Sequence, residues 1–231
     1  MPTNAFGQPI GEPIGFRPVQ APPRTPIEGR TCRLEPLDGD RHTDGLFAAI
    51  GEDPDGSSWT YMAHGPFATL DDYRAWMVGA ARSEDPLFHV VVDLQTKLPV
   101  GVAAYLRIDP KNGVIEVGSI HYTARLRRSV AATEAMYLMM RRAFEELGYR
   151  RYEWKCDDLN APSRAAALRY GFTYEGTFRQ AVVYKGRNRD TAWYSVLDRE
   201  WPAVKAAFEA WLDPSNFDEA GRQRRSLAAL R

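Results

Sequence analysis

Between Leu87 and Thr123 three runs rich in β-branched and aromatic residues follow one another with almost nothing between them. They are "LFHVVVD" (Leu87 to Asp93), "PVGVAAYLRID" (Pro99 to Asp109) and "GVIEVGSIHYT" (Gly113 to Thr123), joined by the polar "LQTKL" and the turn "PKNG". A parallel return needs a crossover of roughly a dozen residues or more, so connections this short predict three antiparallel strands in a meander.

The flanking sequence predicts a mixed α/β (α+β) chain. "TCRLEPL" alternates like a first strand, and Asp40 to Ile50 and Leu70 to Ala81 carry helical spacing. Between those helices lies "GEDPDGSSWTYMAHGPF", a long loop whose Trp59, Tyr61 and His64 suit a segment that covers something. After the meander, Ala132, Met136, Met139, Met140, Phe144 and Leu147 recur at helical spacing, and Gly148 is the stop signal. A short strand "YEWKC", a short helix "APSRAAALRY" ended by Gly171, and a hairpin around "KGRNRD" follow. Within that hairpin "RNRD" reads as a solvated turn. A last helix, Trp201 to Leu212, precedes a basic tail. The expected organisation is a proline- and glycine-rich arm over residues 1–30, a catalytic-sized domain over 31–201, and a C-terminal helix and tail over 202–231.

Composition removes several function classes. Thirty basic residues balance thirty acidic ones, so no global field attracts a polyanion and nucleic acid is not the expected partner. Two cysteines, Cys32 and Cys156, lack the paired spacing of a zinc site, so neither a metal nor a disulfide framework is expected. The longest apolar run, Leu98 to Leu106, is too short to span a bilayer, and a soluble, cytoplasmic protein is the expectation. No G-x-S-x-G elbow is present to suggest a serine hydrolase.

The stretch "RLRRSVAATEAM", Arg125 to Met136, passes from a basic loop directly into a helix. With Ser129 as N-cap, the amides of Val130, Ala131 and Ala132 point along the helix dipole. Small side chains at Ser129, Ala131 and Ala132 allow close approach, and Arg127 and Arg128 add charge, so a diphosphate is the natural ligand. An ordinary helix start with exposed arginines fits the same residues.

Taken with its neighbours, this stretch resembles the GNAT acetyltransferase superfamily. The pyrophosphate loop of that family, Q/R-x-x-G-x-G/A, falls on Arg127-Arg128-Ser129-Val130-Ala131-Ala132, with Val130 where glycine is usual. "AATEAM" and the later Asn160, Ser163, Gly171, Phe172, Glu175 and Gly176 resemble the branch that acetylates N-terminal amines of ribosomal proteins. The resemblance covers roughly Thr31 to Trp201. It implies the GNAT-like acyl-CoA acyltransferase fold, with a mixed, mostly antiparallel central sheet flanked by helices. It implies acetyl-CoA as co-substrate, held by Ile120 and Tyr122 on the third meander strand, by Arg127 to Thr133, and by Asn160 and Ser163. The third meander strand is expected to splay from its neighbour, and Gly118 to mark a bulge or close backbone approach.

Acetyl transfer to an amine requires that the nucleophile lose a proton. Reaching the neutral form at pH 7 costs an α-amine about 1 kcal/mol and a lysine about 4.6 kcal/mol, so a modest base serves the first. The resemblance places Glu116 at the general-base offset; a solvent-facing strand glutamate is the other reading of that residue. His121 and Tyr122 are further candidates, and Ser163 stands where a departing thiolate needs a proton. The family's acid tyrosine is replaced by Ala167. Asp157 and Asp158 read either as acceptor contacts or as a solvated turn. The acceptor is expected between Trp59, Tyr61 and His64 on one side and Arg179 and Trp193 of the hairpin on the other. The leading expectation is an acetyl-CoA-dependent N-acetyltransferase acting on a protein or peptide N-terminus. A small-molecule amine acetyltransferase and a non-catalytic CoA-binding module are the alternatives, and a homodimer is possible by analogy.

Overall fold

The computed structural model describes residues 1–53 and 55–231. Eight strands form one sheet: β1 (Ile27–Glu28), β2 (Cys32–Pro36), β3 (Leu87–Asp93), β4 (Pro99–Asp109), β5 (Val114–Tyr122), β6 (Arg151–Asp157), β7 (Thr173–Tyr184) and β8 (Arg187–Leu197). Their order is β1-β2-β3-β4-β5-β6-β8-β7, antiparallel except between β5 and β6. The meander is therefore present as β3-β4-β5. The single parallel pair is the one whose connection contains a helix, as a parallel return requires.

Five helices pack on the sheet: α1 (Gly39–Ile50), α2 (Leu70–Arg82), α3 (Val130–Arg141), α4 (Ala161–Arg169) and α5 (Trp201–Leu212). Four of them start at polar caps legible in the sequence. Asp38, Thr69, Ser129 and Asn160 each accept a hydrogen bond from an amide of the first turn, leaving fewer orphan donors there. Helix α3 is buried on nearly every side and runs into a π-turn over Arg142–Glu146. Gly148, at φ +76°, reverses the chain into β6, a conformation glycine adopts without penalty.

The sheet has two unlike faces. One packs against α3 and α5 through Tyr105, Ile115, Tyr152, Tyr194 and Phe208. The other packs against α1 and α2 through Leu46, Tyr73, Met77 and Val102. Each such side chain contributes on the order of 2 kcal/mol of burial.

Strand β1 has no counterpart in the sequence reading, which treated residues 1–30 as an arm without ladder pairing. Ile27 and Glu28 pair with Leu34 and Arg33, and Glu134 of α3 fastens the turn by accepting from the amides of Arg30, Thr31 and Cys32. A buried carboxylate bonded by several amides holds a segment that proline and glycine content made look free. The hairpin also differs from expectation. Its reversal is the tight Lys185–Gly186 pair, and "RNRD" lies inside β8, because Arg187, Asn188 and Arg189 pair with Tyr184, Val183 and Val182. Asp157 is not a solvated turn residue either: it is buried and accepts from Tyr184 Oη (2.8 Å) and the Leu159 amide (2.9 Å).

Candidate active site

Strands β5 and β6 are paired only from Val114 to Val117 and from Arg151 to Trp154. Beyond that point β5 leaves its neighbour. The cause is a bulge in which Ser119 and Ile120 together stand opposite Ala103 of β4, with Ser119 at φ +47°. Gly118 precedes it where a Cβ would meet Leu106 Cδ2 at 2.9 Å. The splay and the close approach anticipated at Gly118 are both present. At the gap lies a cleft of about 480 Å³, lined by residues of β4, β5, β6, β7 and β8 and of the loop around Tyr61.

Glu116 lies at the fork, buried, and not on a solvent-facing position. Its Oε2 accepts from Arg107 Nη1 at 2.7 Å and lies 3.0 Å from Lys155 Nζ. Lys155 in turn lies 2.6 Å from Glu153 Oε2 and sits over the Trp193 ring at 3.7 Å, and Glu153 pairs with Arg151 at 2.6 Å. Charges therefore alternate from β4 across β5 to β6. Burial pushes the Glu116 carboxyl above the ordinary carboxylate range, and Lys155 and then Arg107 oppose that rise. Both cations engage Oε2, and Oε1 has no hydrogen-bond partner among the described residues.

At the other mouth, Asn160 Oδ1 caps α4 by accepting from the Ser163 amide (3.1 Å), and Ser163 Oγ accepts from Trp154 Nε1 (3.0 Å). The Ser163 hydroxyl thus keeps its own proton, beside the buried Cys156 thiol. Further along, Ser129 Oγ accepts from the Ala132 amide (3.0 Å) and donates to the Leu126 carbonyl (2.7 Å). The amides of Val130 and Ala131 precede any intrahelical acceptor and face outward along the dipole. Val130 packs against the core, and the left-handed residue of the loop is Arg128 (φ +61°), so the position where the family prefers glycine carries no backbone strain here. Of the three arginines, Arg125 pairs with Glu52 and Arg127 with Asp53, whereas Arg128 is exposed and makes no ion pair among the described residues. Thr133 is buried and accepts from Arg169 Nη1 (3.1 Å). The free amides, small Ala131 and Ala132, and exposed Arg128 fit a diphosphate-bearing co-substrate.

The cleft brings together Glu116, Ile120, Asn160, Ser163, Tyr61, His64 and Trp193 of the residues singled out from sequence. It leaves out others. His121 points to the α1–α2 side, stacked on Trp59 with centroids 3.8 Å apart and Nε2 3.1 Å from Ser58 Oγ. Burial, with His64 and Arg127 nearby, lowers its pKa to about 4. The Tyr122 hydroxyl is buried without a partner, and burial pushes its pKa up. Trp59 is a core residue, whose carbonyl accepts from Lys185 Nζ at 2.9 Å. Arg179 lines an open depression outside the hairpin with Gln180 and Asp190. His64 stacks on Trp76 at 4.4 Å, and burial, then Lys185, lowers its pKa to about 4.

Arg107, Lys155, Asp157, Arg189 and Thr191 also line the cleft, and the sequence reading assigned no role to Arg107, Lys155, Arg189 or Thr191. A period-two pattern in "RYEWKCD" was the available clue: Glu153, Lys155 and Asp157 alternate with Tyr152, Trp154 and Cys156. Among the described residues no His, Cys, Asp or Glu cluster is arranged to hold a metal, and no helix is long and apolar enough to cross a membrane.

Residues 32–173 match the family model of the acetyltransferase (GNAT) domain. The crystal structure of a GCN5-related N-acetyltransferase from Brucella melitensis is 50% identical, covers 94% of this chain and 98% of its own, and superposes with a TM-score of 0.92. In sequence, the chain is 27% identical over 175 residues to the Bacillus subtilis (strain 168) protein named "Putative ribosomal N-acetyltransferase YdaF", over 74% of this chain and 92% of that protein. The fold is shared with the microcin C7 self-immunity acetyltransferase MccE, solved in complex with acetyl-CoA and AMP, at a TM-score of 0.64 and 21% identity over 73% of this chain and 93% of that one. A mixed sheet splayed at its one parallel pair, with a capped helix beside the fork, is the architecture of an acyltransferase, and the chain belongs to the GNAT acetyltransferase family.

Proposed function

We propose that the protein is an acetyl-CoA-dependent N-acetyltransferase that transfers the acetyl group to a primary amine by direct attack, the acceptor being a protein or peptide N-terminus. The observation that carries this reading is the Glu116 carboxylate, buried at the fork of β5 and β6 with Oε2 bound by Arg107 and Lys155 and Oε1 open to the cleft. The complex of MccE with acetyl-CoA supports the choice of co-substrate.

Bound at the fork, acetyl-CoA supplies an activated thioester carbonyl. The amides of Val130 and Ala131 and the Arg128 guanidinium hold the diphosphate. Glu116 Oε1 receives the proton that the ammonium must lose, and its burial raises its affinity for that proton. Lys155 and Arg107 keep it ionised enough to do so at neutral pH. Ser163, whose oxygen already accepts from Trp154, offers its hydrogen toward the departing sulfur. An α-amine needs only about 1 kcal/mol to become neutral at pH 7, which suits a single carboxylate as base.

The test is acetyl-CoA titration followed by acetyl transfer to amidated peptides with free N-termini, read by mass. Binding and N-terminal acetylation are expected. Transfer to small amines and to no peptide overturns the acceptor assignment, and tight CoA binding with no transfer to any amine overturns the enzymatic one. In the same titration, Ala132→Leu is expected to weaken acetyl-CoA binding about tenfold by crowding the diphosphate.

A further inference from the structure

On the hairpin wall of the cleft three polar atoms have no hydrogen-bond partner among the described residues. Arg189, Thr191 and Trp193 occupy alternate positions of β8, so they share one face, and all three line the cleft. Arg189 Nε, Thr191 Oγ1 and Trp193 Nε1 are buried from solvent with no hydrogen-bond partner among the described residues, and the Thr191 residue is only 5% exposed. Buried donors without partners are costly, and a row of three calls for a ligand. The cations sharpen the point. Arg107 pairs with Glu116 and Lys155 with Glu116 and Glu153, whereas Arg189 makes no ion pair among the described residues.

The spacing sets the ligand's shape. Trp193 stands opposite Lys155, at the reacting end beside Glu116, and Thr191 stands opposite Asp157. Two residues of strand advance about 7 Å, so Arg189 lies about 14 Å from the Trp193 position, the length of about four residues of extended chain. An extended peptide along β8 repeats its carbonyls on one side at the same interval of about 7 Å, matching donors at Trp193 and Thr191. At the middle position Asp157 already holds two hydrogen bonds and its charge disfavours a second carboxylate.

Resting on the N-terminal acceptor reading above, we infer that the acceptor is an extended peptide N-terminus carrying an acidic side chain at about its fifth residue, four residues beyond the first, bound by Arg189. The ion pair forms at the outer end of the cleft. The inner positions accept small, uncharged residues.

The test uses three amidated hexapeptides, Ser-Ala-Ala-Ala-Glu-Ala and its Gln and Lys counterparts at the fifth position, with the full chain and acetyl-CoA. The Glu peptide is expected to exceed the Gln peptide about tenfold in kcat/KM, chiefly through KM, and the Lys peptide to be poorest. Arg189→Glu is expected to invert the order in favour of the Lys peptide, which also shows that the variant is folded. Equal kcat/KM for the three peptides, or an order unmoved by Arg189→Glu, overturns the inference and leaves the N-terminal acceptor reading standing. Acetylation of small amines with none of the three peptides acetylated overturns both, a distinct result.

Discussion

On one face of β6, Tyr152, Trp154 and Cys156 are packed among the aromatic side chains of the α3 and α5 layer; on the other, Glu153, Lys155 and Asp157 hold a line of charge. Both faces are buried, yet they are stabilised by unlike means. The first relies on area and close packing, with Tyr152 against Phe144, Phe172 and Tyr105. The second relies on ion pairs and hydrogen bonds, Lys155 with Glu116 and Glu153 and Asp157 with Tyr184 Oη and the Leu159 amide, since an unpaired buried charge costs several kcal/mol. The comparison teaches where chemistry can be placed in a small sheet. The apolar face is insensitive to pH and tolerates no loss of volume, while beside the ionic face Glu116 of β5 is held between burial, which raises its pKa, and two cations, which lower it.

The largest effect expected is on the apolar face. Tyr152→Ala should cost about 4 kcal/mol in chemical denaturation, from the cavity left in the core. Tyr152→Phe sharpens the point: the hydroxyl has no partner, so its removal should be neutral or slightly stabilising. On the ionic face, Lys155→Met should cost about 3 kcal/mol, because Glu116 and Glu153 then face each other without the cation between them. The same variant should move the acid limb of the pH–rate profile upward, since loss of an opposite charge raises the Glu116 pKa further. A limb that stays in place would separate Glu116 from proton transfer. Glu116→Gln should lower turnover about a hundredfold, with acetyl-CoA affinity by titration little changed. Equal turnover across pH would transfer the base role elsewhere.

The broadest effect concerns acid. His64, His89 and His121 each have pKa values lowered to about 4, with burial as the leading cause. The folded protein then binds fewer protons than the unfolded chain between about pH 4 and pH 6.5, so stability is lost as pH falls through that window. Thermal scans should show Tm falling from pH 6.5 downward, and His121→Phe, which keeps the stack on Trp59, should reduce that slope. An unchanged slope would remove His121 from the cause.

Much of the fold was legible because its signals are local. The strands Leu87–Asp93 and Pro99–Asp109 have the boundaries their β-branched runs and turns define, Ser129 caps α3 as its side chain allows, and Trp201–Leu212 is a helix as its spacing requires. Among the residues lining the cleft, a family pattern marked Glu116, Ile120, Asn160 and Ser163, and the aromatic content of the loop and hairpin marked Tyr61, His64 and Trp193. Arg107, Lys155 and Arg189 carried no such mark, because each is a common surface residue until a second strand arrives beside it. His121 was read as a candidate base and Trp59 as a neighbour of the acceptor, but they complete a stack in the α1–α2 layer.

By itself, then, the sequence determined the order of the elements from β2 onward, the Ser129 cap and the glycine at which β5 bulges, since periodicity, turn chemistry and Gly118 act over a few residues. Only the tertiary structure decided that β1 joins the sheet, that charge alternates from Arg107 through Glu116 and Lys155 to Glu153, and that Arg189 faces the cleft unpaired. The physical reason is that pairing and burial depend on distances between residues far apart in the chain, which the register of β4, β5, β6 and β8 alone sets.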